Sequence, residues 1–258
     1  MKSSRHNFDA FAFSRQPNYH EPSVRKAFAK AVPLRTVVIY CYDPRAVGIP
    51  QAVARALGEV YPGEIVSDER EKKVASTTTL FPVVVAGGRG IDALRSVTVA
   101  QHLFGIENIA IVHHTNCGAT SFTADGIIAA YRQEHDVDIS DLYPRESICI
   151  GDYVASLNHD VRLLRESRGT PKHANIYGYV YDIDDHRLTL VVEDPGGPQS
   201  GFIMRRHWRR RRLLREEEPR EVEENRRGEA HGVQSVEHAA VAFDQCAPVL
   251  CAETAFDG

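Results

Sequence analysis

Hydrophobic positions follow two rhythms along this chain. Continuous, β-rich apolar runs appear in "RTVVIYCYDPR", "TTTLFPVVVAGGRG" and "NIAIVHHTNCG", and each ends abruptly in polar residues or glycines. Between them, "PQAVARALGEVY" and "IDALRSVTVAQHLFG" carry apolar residues at helical spacing, the second stopped by Gly105. Helices are also expected over "PSVRKAFAKA", "TADGIIAAYRQEH" and "ESICIGDYVASLNHDVRLLRES". "NIYGYVYDIDDHRLTLVVED" reads as a fourth strand, a turn at "DIDDH" and a fifth strand. Strands that alternate with helices and are apolar throughout predict an α/β fold with a mostly parallel central sheet and helices on both faces. In such sheets ligands bind beyond the carboxyl ends of the strands. That directs attention to "CYDPR", "AGGRG" and "HHTNC".

The pattern also divides the chain. Residues 1–33 read as an N-terminal helical arm, 34–201 as the α/β unit, and 202–258 as a charged tail, partly disordered or packing on a neighbour. In that tail a basic block runs into an acidic one with little apolar periodicity. The arginines from Arg205 to Arg212 are read as a solvated tail or oligomer contact ahead of a phosphate or nucleic-acid site. The 258 residues are 43% hydrophobic, enough for a sizeable core, and the formal net charge of -4 gives the whole molecule no polyanion-binding character. No nucleic-acid partner and no membrane association are expected, since no apolar run approaches the roughly 18 residues of a membrane helix. The first residues lack the apolar core of a secretory signal, so the expected location is cytoplasmic.

Five cysteines, Cys41, Cys117, Cys149, Cys246 and Cys251, do not form a disulfide framework in such a chain, and reduced thiols are available for metal. Cys41 ends the first strand, and His114 and Cys117 end the third. If those strands are neighbours, the three side chains converge as a Cys2His set, leaving a fourth position for water or substrate. The alternative is a buried strand thiol beside a polar turn, because cysteine is commonly buried without metal. Asp43 and Arg45 share the loop with Cys41. The aspartate can accept a hydrogen bond from water at a metal or take the fourth position itself, and the arginine can hold it ionised. A surface ion pair is the plainer reading. His113 alternates with His114 and should point away. Gly87 and Gly88 either let the backbone pass close to the site or make an ordinary turn. Arg89 is expected at the site entrance or an oligomer contact. Cys149 is expected in the core, and Cys246, Cys251 and His238 fit no zinc spacing well.

Taken together, "CYDPR", "AGG" and "HHTNCG" resemble the β-class carbonic anhydrase family, with C-x-D-x-R after the first strand and H-x-x-C-G after the third. The likeness spans roughly Arg35 to Glu193. "AGGRG" departs from the usual A-G-N, "HHTNC" doubles the histidine, and the single Trp208 lies outside the matched region. These departures resemble the divergent short-type branch that contains carbonyl sulfide hydrolases. The resemblance implies Zn2+ held by Cys41, His114 and Cys117, an Asp43–Arg45 catalytic dyad, and a substrate pocket near Gly87 and Gly88. It also implies hydroxide attack on a small linear heterocumulene: hydration of CO2 to bicarbonate, or hydrolysis of COS to hydrogen sulfide and CO2. A non-catalytic zinc protein is the remote alternative. A homodimer or higher homo-oligomer is implied as well.

Overall fold

The computed structural model describes residues 8–197. The charged stretch 202–258 lies outside the described residues, with Cys246, Cys251, His238, Trp208 and the Arg205–Arg212 block.

Helix α1 (Glu21–Ala31) follows two short 3-10 turns and has Pro22 in its first turn, where a missing N–H is harmless. Then come β1 (Thr36–Cys41), α2 (Ile49–Leu57), a small hairpin of β2 (Ile65–Ser67) and β3 (Lys73–Ser76), β4 (Leu80–Val85), α3 (Leu94–Phe104) and β5 (Asn108–His114). The chain continues through α4 (Ala124–His135), the single turn α5 (Arg145–Ile148), α6 (Tyr153–Glu166), β6 (Asn175–Tyr181) and β7 (Leu188–Asp194).

Five strands form one sheet in the order β4-β1-β5-β6-β7. The first four run parallel, and only β7 is antiparallel, to β6. From β1 the chain moves outward to β4 and returns to β5 on the other side of β1. The order therefore reverses between β1 and β5, which is where an open α/β sheet leaves a crevice beyond its strand ends.

The burial of each strand explains its composition. β1 is buried at all six positions and β5 at six of seven, so both read as unbroken apolar runs. β4 lies at the edge and is half exposed, which is why Pro82 is tolerated there. Val37, Ile39, Ile109, Ile111 and Ile176 pack on one face against Val97 of α3 and Leu157, Val161 and Leu164 of α6. Val38, Tyr40, Ala110, Val112, Tyr179 and Tyr181 pack on the other against Ile49 and Val53 of α2. Both faces are covered, as the continuous apolar strands require.

Three expectations need correction. The helix expected over "PQAVARALGEVY" stops at Leu57, because Gly58 takes a left-handed conformation (φ 68°) and its amide bonds the Ala54 carbonyl. The single helix expected over "ESICIGDYVASLNHDVRLLRES" is two, α5 and α6. Asp152 starts the second by accepting the Ala155 amide at 2.7 Å. The β2–β3 hairpin is new; its strands are too short and polar to show a period. Among the described residues no helix is long and apolar enough to cross a membrane.

Candidate metal centre

Cys41 is the last residue of β1 and His114 the last of β5. These strands pair directly, with Tyr40 opposite Val112. The neighbour relation on which convergence depended is therefore present. Beyond His114 the chain turns through Asn116 at φ 56°, a left-handed conformation that Asn tolerates, and this turn brings Cys117 back over the sheet edge. Sγ of Cys41, Sγ of Cys117 and a ring nitrogen of His114 all lie within 4.8 Å of one another, and all three residues are buried.

The donor chemistry fits a tetrahedral thiophilic metal. Two sulfurs bound at about 2.3 Å to one tetrahedral ion stand about 3.8 Å apart, and the two Sγ atoms here are 3.8 Å apart. His114 Nδ1 faces the Thr115 carbonyl at 2.9 Å. That bond assigns the proton to Nδ1 and leaves Nε2 as a lone pair; Nε2 is buried with no hydrogen-bond partner. Each sulfur also accepts a backbone amide, Cys41 from Asp43 at 3.4 Å and Cys117 from Ala119. Burial nevertheless pushes the Cys117 thiol up, with the neighbouring Cys41 adding to the effect. A thiol raised in this way carries thiolate charge at neutral pH only if a cation compensates it.

Asp43 stands beside this cluster, Oδ2 lying 3.9 Å from His114 Nε2. Arg45 holds both its oxygens. The Arg45 backbone amide and Nε donate to Oδ1 at 2.9 and 3.0 Å, and a terminal nitrogen donates to Oδ2 at 2.7 Å. These hydrogen bonds hold the Asp43 carboxyl well below the usual carboxylate range. Arg45 also donates to the Asn116 carbonyl at 3.0 Å, tying the Asp43 loop to the turn between His114 and Cys117. With Arg45 54% exposed, the pair contributes little stability. Its consequence is orientation: an ionised carboxylate fixed next to three atoms that could hold a metal.

Gly87 and Gly88 sit against the same strand ends, both with positive φ. A Cβ on Gly88 would lie 2.7 Å from the Val112 carbonyl and 3.1 Å from the Cys41 amide, and one on Gly87 would lie 2.9 Å from Ala119 Cβ. The backbone passes close to the site here because no side chain intrudes. His113 points away, as alternation required, and meets Ser156 Oγ at 3.0 Å in the opposite core. Arg89 overturns its expectation. It reaches neither the entrance nor the surface but is 2% exposed and paired with Asp160. Cys149 is half-buried. Sequence reasoning missed Ile150, which shares one buried cluster with the two cysteines, and Tyr153, whose hydroxyl donates to the His114 carbonyl at 3.0 Å. Both lie within the stretch read as one continuous helix, so nothing local marked them.

No family model matches the chain. A curated relative, β-carbonic anhydrase 1 of Mycobacterium tuberculosis, is 30% identical over 101 residues, covering 39% of this chain and 60% of that protein. A carbon disulfide hydrolase of Acidianus is 27% identical over 117 residues, covering 38% of this chain and 57% of that protein. The chain thus spans less than two thirds of the length of the curated relatives it matches. A crystal structure of a carbonic anhydrase from Streptococcus mutans aligns over 67% of this chain and 95% of that one, at 24% identity and a TM-score of 0.48. Over the matched segments, of 101 and 117 residues, this chain is therefore similar to a β-class carbonic anhydrase and to a carbon disulfide hydrolase.

Proposed function

We propose that residues 34–201 form a zinc-dependent enzyme that adds water to a small linear heterocumulene, with CO2 hydration to bicarbonate as its main reaction. The observation that carries this is the pairing of a Cys2His ligand set, its buried His114 Nε2 unpartnered, with an ionised Asp43 fixed by Arg45. Cys41, His114 and Cys117 would hold the zinc. Zinc supplies Lewis acidity that makes a hydroxide nucleophile available near neutral pH. Asp43 accepts a hydrogen bond from the attacking water and orients it, and Arg45 keeps Asp43 ionised and in place. A purely structural zinc site has no use for such a pair. Ile150 and Ala119, packed against the two cysteines, give the site an apolar wall suited to an uncharged substrate.

A second reading, hydrolysis of a sulfur-containing heterocumulene such as COS or CS2, is favoured by the curated relatives named carbon disulfide hydrolase. The ligand set does not choose between these substrates. Purified protein with its zinc content measured should be assayed side by side for CO2 hydration by stopped flow and for hydrogen sulfide release from COS and CS2. Turnover of CO2 that is lost in Cys41→Ala and Asp43→Ala supports the main reading. One zinc per chain with activity on none of the three substrates refutes the enzyme. Full activity in Asp43→Ala refutes the role given to that residue.

A further inference from the structure

A second buried charge lies beneath the candidate metal centre and has no part in the chemistry above. Arg89 leaves the turn after β4 with its side chain 2% exposed and meets Asp160 of α6, which is 0% exposed. The pairing is two-pronged, Nε to Oδ2 at 2.8 Å and a terminal nitrogen to Oδ1 at 3.0 Å. The guanidinium also donates to two backbone carbonyls, Glu146 at 2.8 Å and Cys149. Gly90 adds its amide to Asp160 Oδ2 at 3.0 Å. One side chain thus ties together the turn after β4, the segment around α5, and α6.

Charge pairing alone does not require the two carbonyls. A buried ion pair is a poor source of stability, because desolvation offsets most of the attraction. A planar fork with five donors adds geometry, and here the geometry is passed to the site. The clamped Cys149 carbonyl immediately precedes Ile150, and Tyr153 follows on the same segment, at the start of α6. Ile150 shares one buried cluster with Cys41 and Cys117, and its amide donates to the Ala119 carbonyl at 2.9 Å, two residues beyond Cys117. The Tyr153 hydroxyl donates to the carbonyl of His114. Together these contacts join the segment to the surroundings of all three candidate ligands. We propose that Arg89, held by Asp160, is a positioning residue for the metal centre: it fixes the segment from Glu146 to Tyr153, and that segment sets the placement of Cys41, His114 and Cys117. The inference rests on the reading of those three residues as metal ligands.

Arg89→Lys tests it. Lysine keeps a cation opposite Asp160 but cannot serve the carboxylate and both carbonyls at once. The probe is cobalt(II), whose thiolate charge-transfer and ligand-field absorption report ligand geometry without any turnover. The expected result is a cooperatively folded variant that binds cobalt about 10-fold more weakly or worse by chelator competition. Its visible spectrum should be shifted, and kcat should fall more than KM rises. Tyr153→Phe combined with Ile150→Ala leaves the ion pair intact and should move affinity and spectrum in the same direction. A folded Arg89→Lys with wild-type cobalt affinity and spectrum overturns the proposal. If Arg89→Lys does not fold, the Tyr153→Phe/Ile150→Ala variant decides, and unchanged affinity and spectrum there overturn it. Wild-type protein that takes up no cobalt overturns the metal reading and this proposal with it. Cobalt uptake without turnover of any substrate refutes only the proposed activity.

Discussion

Mild acid should destabilise this protein through His113, before its carboxylates protonate. His113 is fully buried on β5, and its Nε2 lies 3.0 Å from Ser156 Oγ. Burial is the main reason its pKa falls from 6.5 to about 4; Asp160 opposes the shift and Arg89 reinforces it. Between those two values the unfolded chain binds a proton that the folded chain does not, so stability falls as pH falls. The loss starts near the unfolded pKa and is complete below the folded one. A displacement from 6.5 to about 4 corresponds to about 3 kcal/mol, at about 1.4 kcal/mol for each factor of ten in proton affinity. Most of this should be lost by about pH 4.5. Asp43 and Asp138 also have lowered pKa values, but from 3.8, so their stabilisation is lost below this window. The assay is urea unfolding of metal-free protein at several pH values between about 7.5 and 4.5, compared with His113→Gln, which can keep the bond to Ser156 but cannot titrate. Wild type should lose about 2–3 kcal/mol more than the variant over that range. Parallel curves for the two proteins would refute the assignment of a buried neutral His113.

Gly88→Ala should cost about 2–5 kcal/mol, because it adds a left-handed penalty of about 1–2 kcal/mol to an overpacking cost of about 1–3 kcal/mol. The clash is with backbone, the Val112 carbonyl at 2.7 Å and Tyr40 Cα at 3.0 Å, so it cannot be relieved by a rotamer change. Urea unfolding measures the cost, and a loss under about 1 kcal/mol would contradict this packing. Asp160→Leu should cost about 3–5 kcal/mol by leaving Arg89 buried and unpaired, and adding Arg89→Met should recover most of it. A double variant no more stable than the single one would show that the charges are not the cause. Zinc at about one hundred times its dissociation constant should stabilise the folded chain by about 2.7 kcal/mol, and the thermal shift should vanish in Cys41→Ser, His114→Ala and Cys117→Ser. A shift that survives all three would place the ion elsewhere.

The legibility of this protein followed the locality of its physics. The sheet was readable because β1 and β5 are buried on both faces and so carry unbroken apolar runs, 37–40 and 109–112. Gly105, which ends α3 at φ 69°, was readable for the same reason, since one residue settles the outcome. The hairpin of β2 and β3 was not, because four residues or fewer cannot display a period. Cys41, Asp43, Arg45, His114 and Cys117 announced themselves as donors at strand ends, yet their meeting was conditional on β1 and β5 being neighbours. That adjacency comes from the path of the chain through β4 and back, which no single segment encodes. Arg89 marks the limit more sharply. Its partner Asp160 lies 71 residues away in the middle of α6, where an aspartate looks like any solvated helix residue. An arginine after "AGG" suggested an exposed contact because arginine is costly to bury. The cost is met only by a carboxylate, two carbonyls and a glycine amide arriving from three separate segments. A buried pair of this kind is invisible locally because each member's environment is made by the other, and the residues that hold a site in place can therefore be harder to read than those that form it.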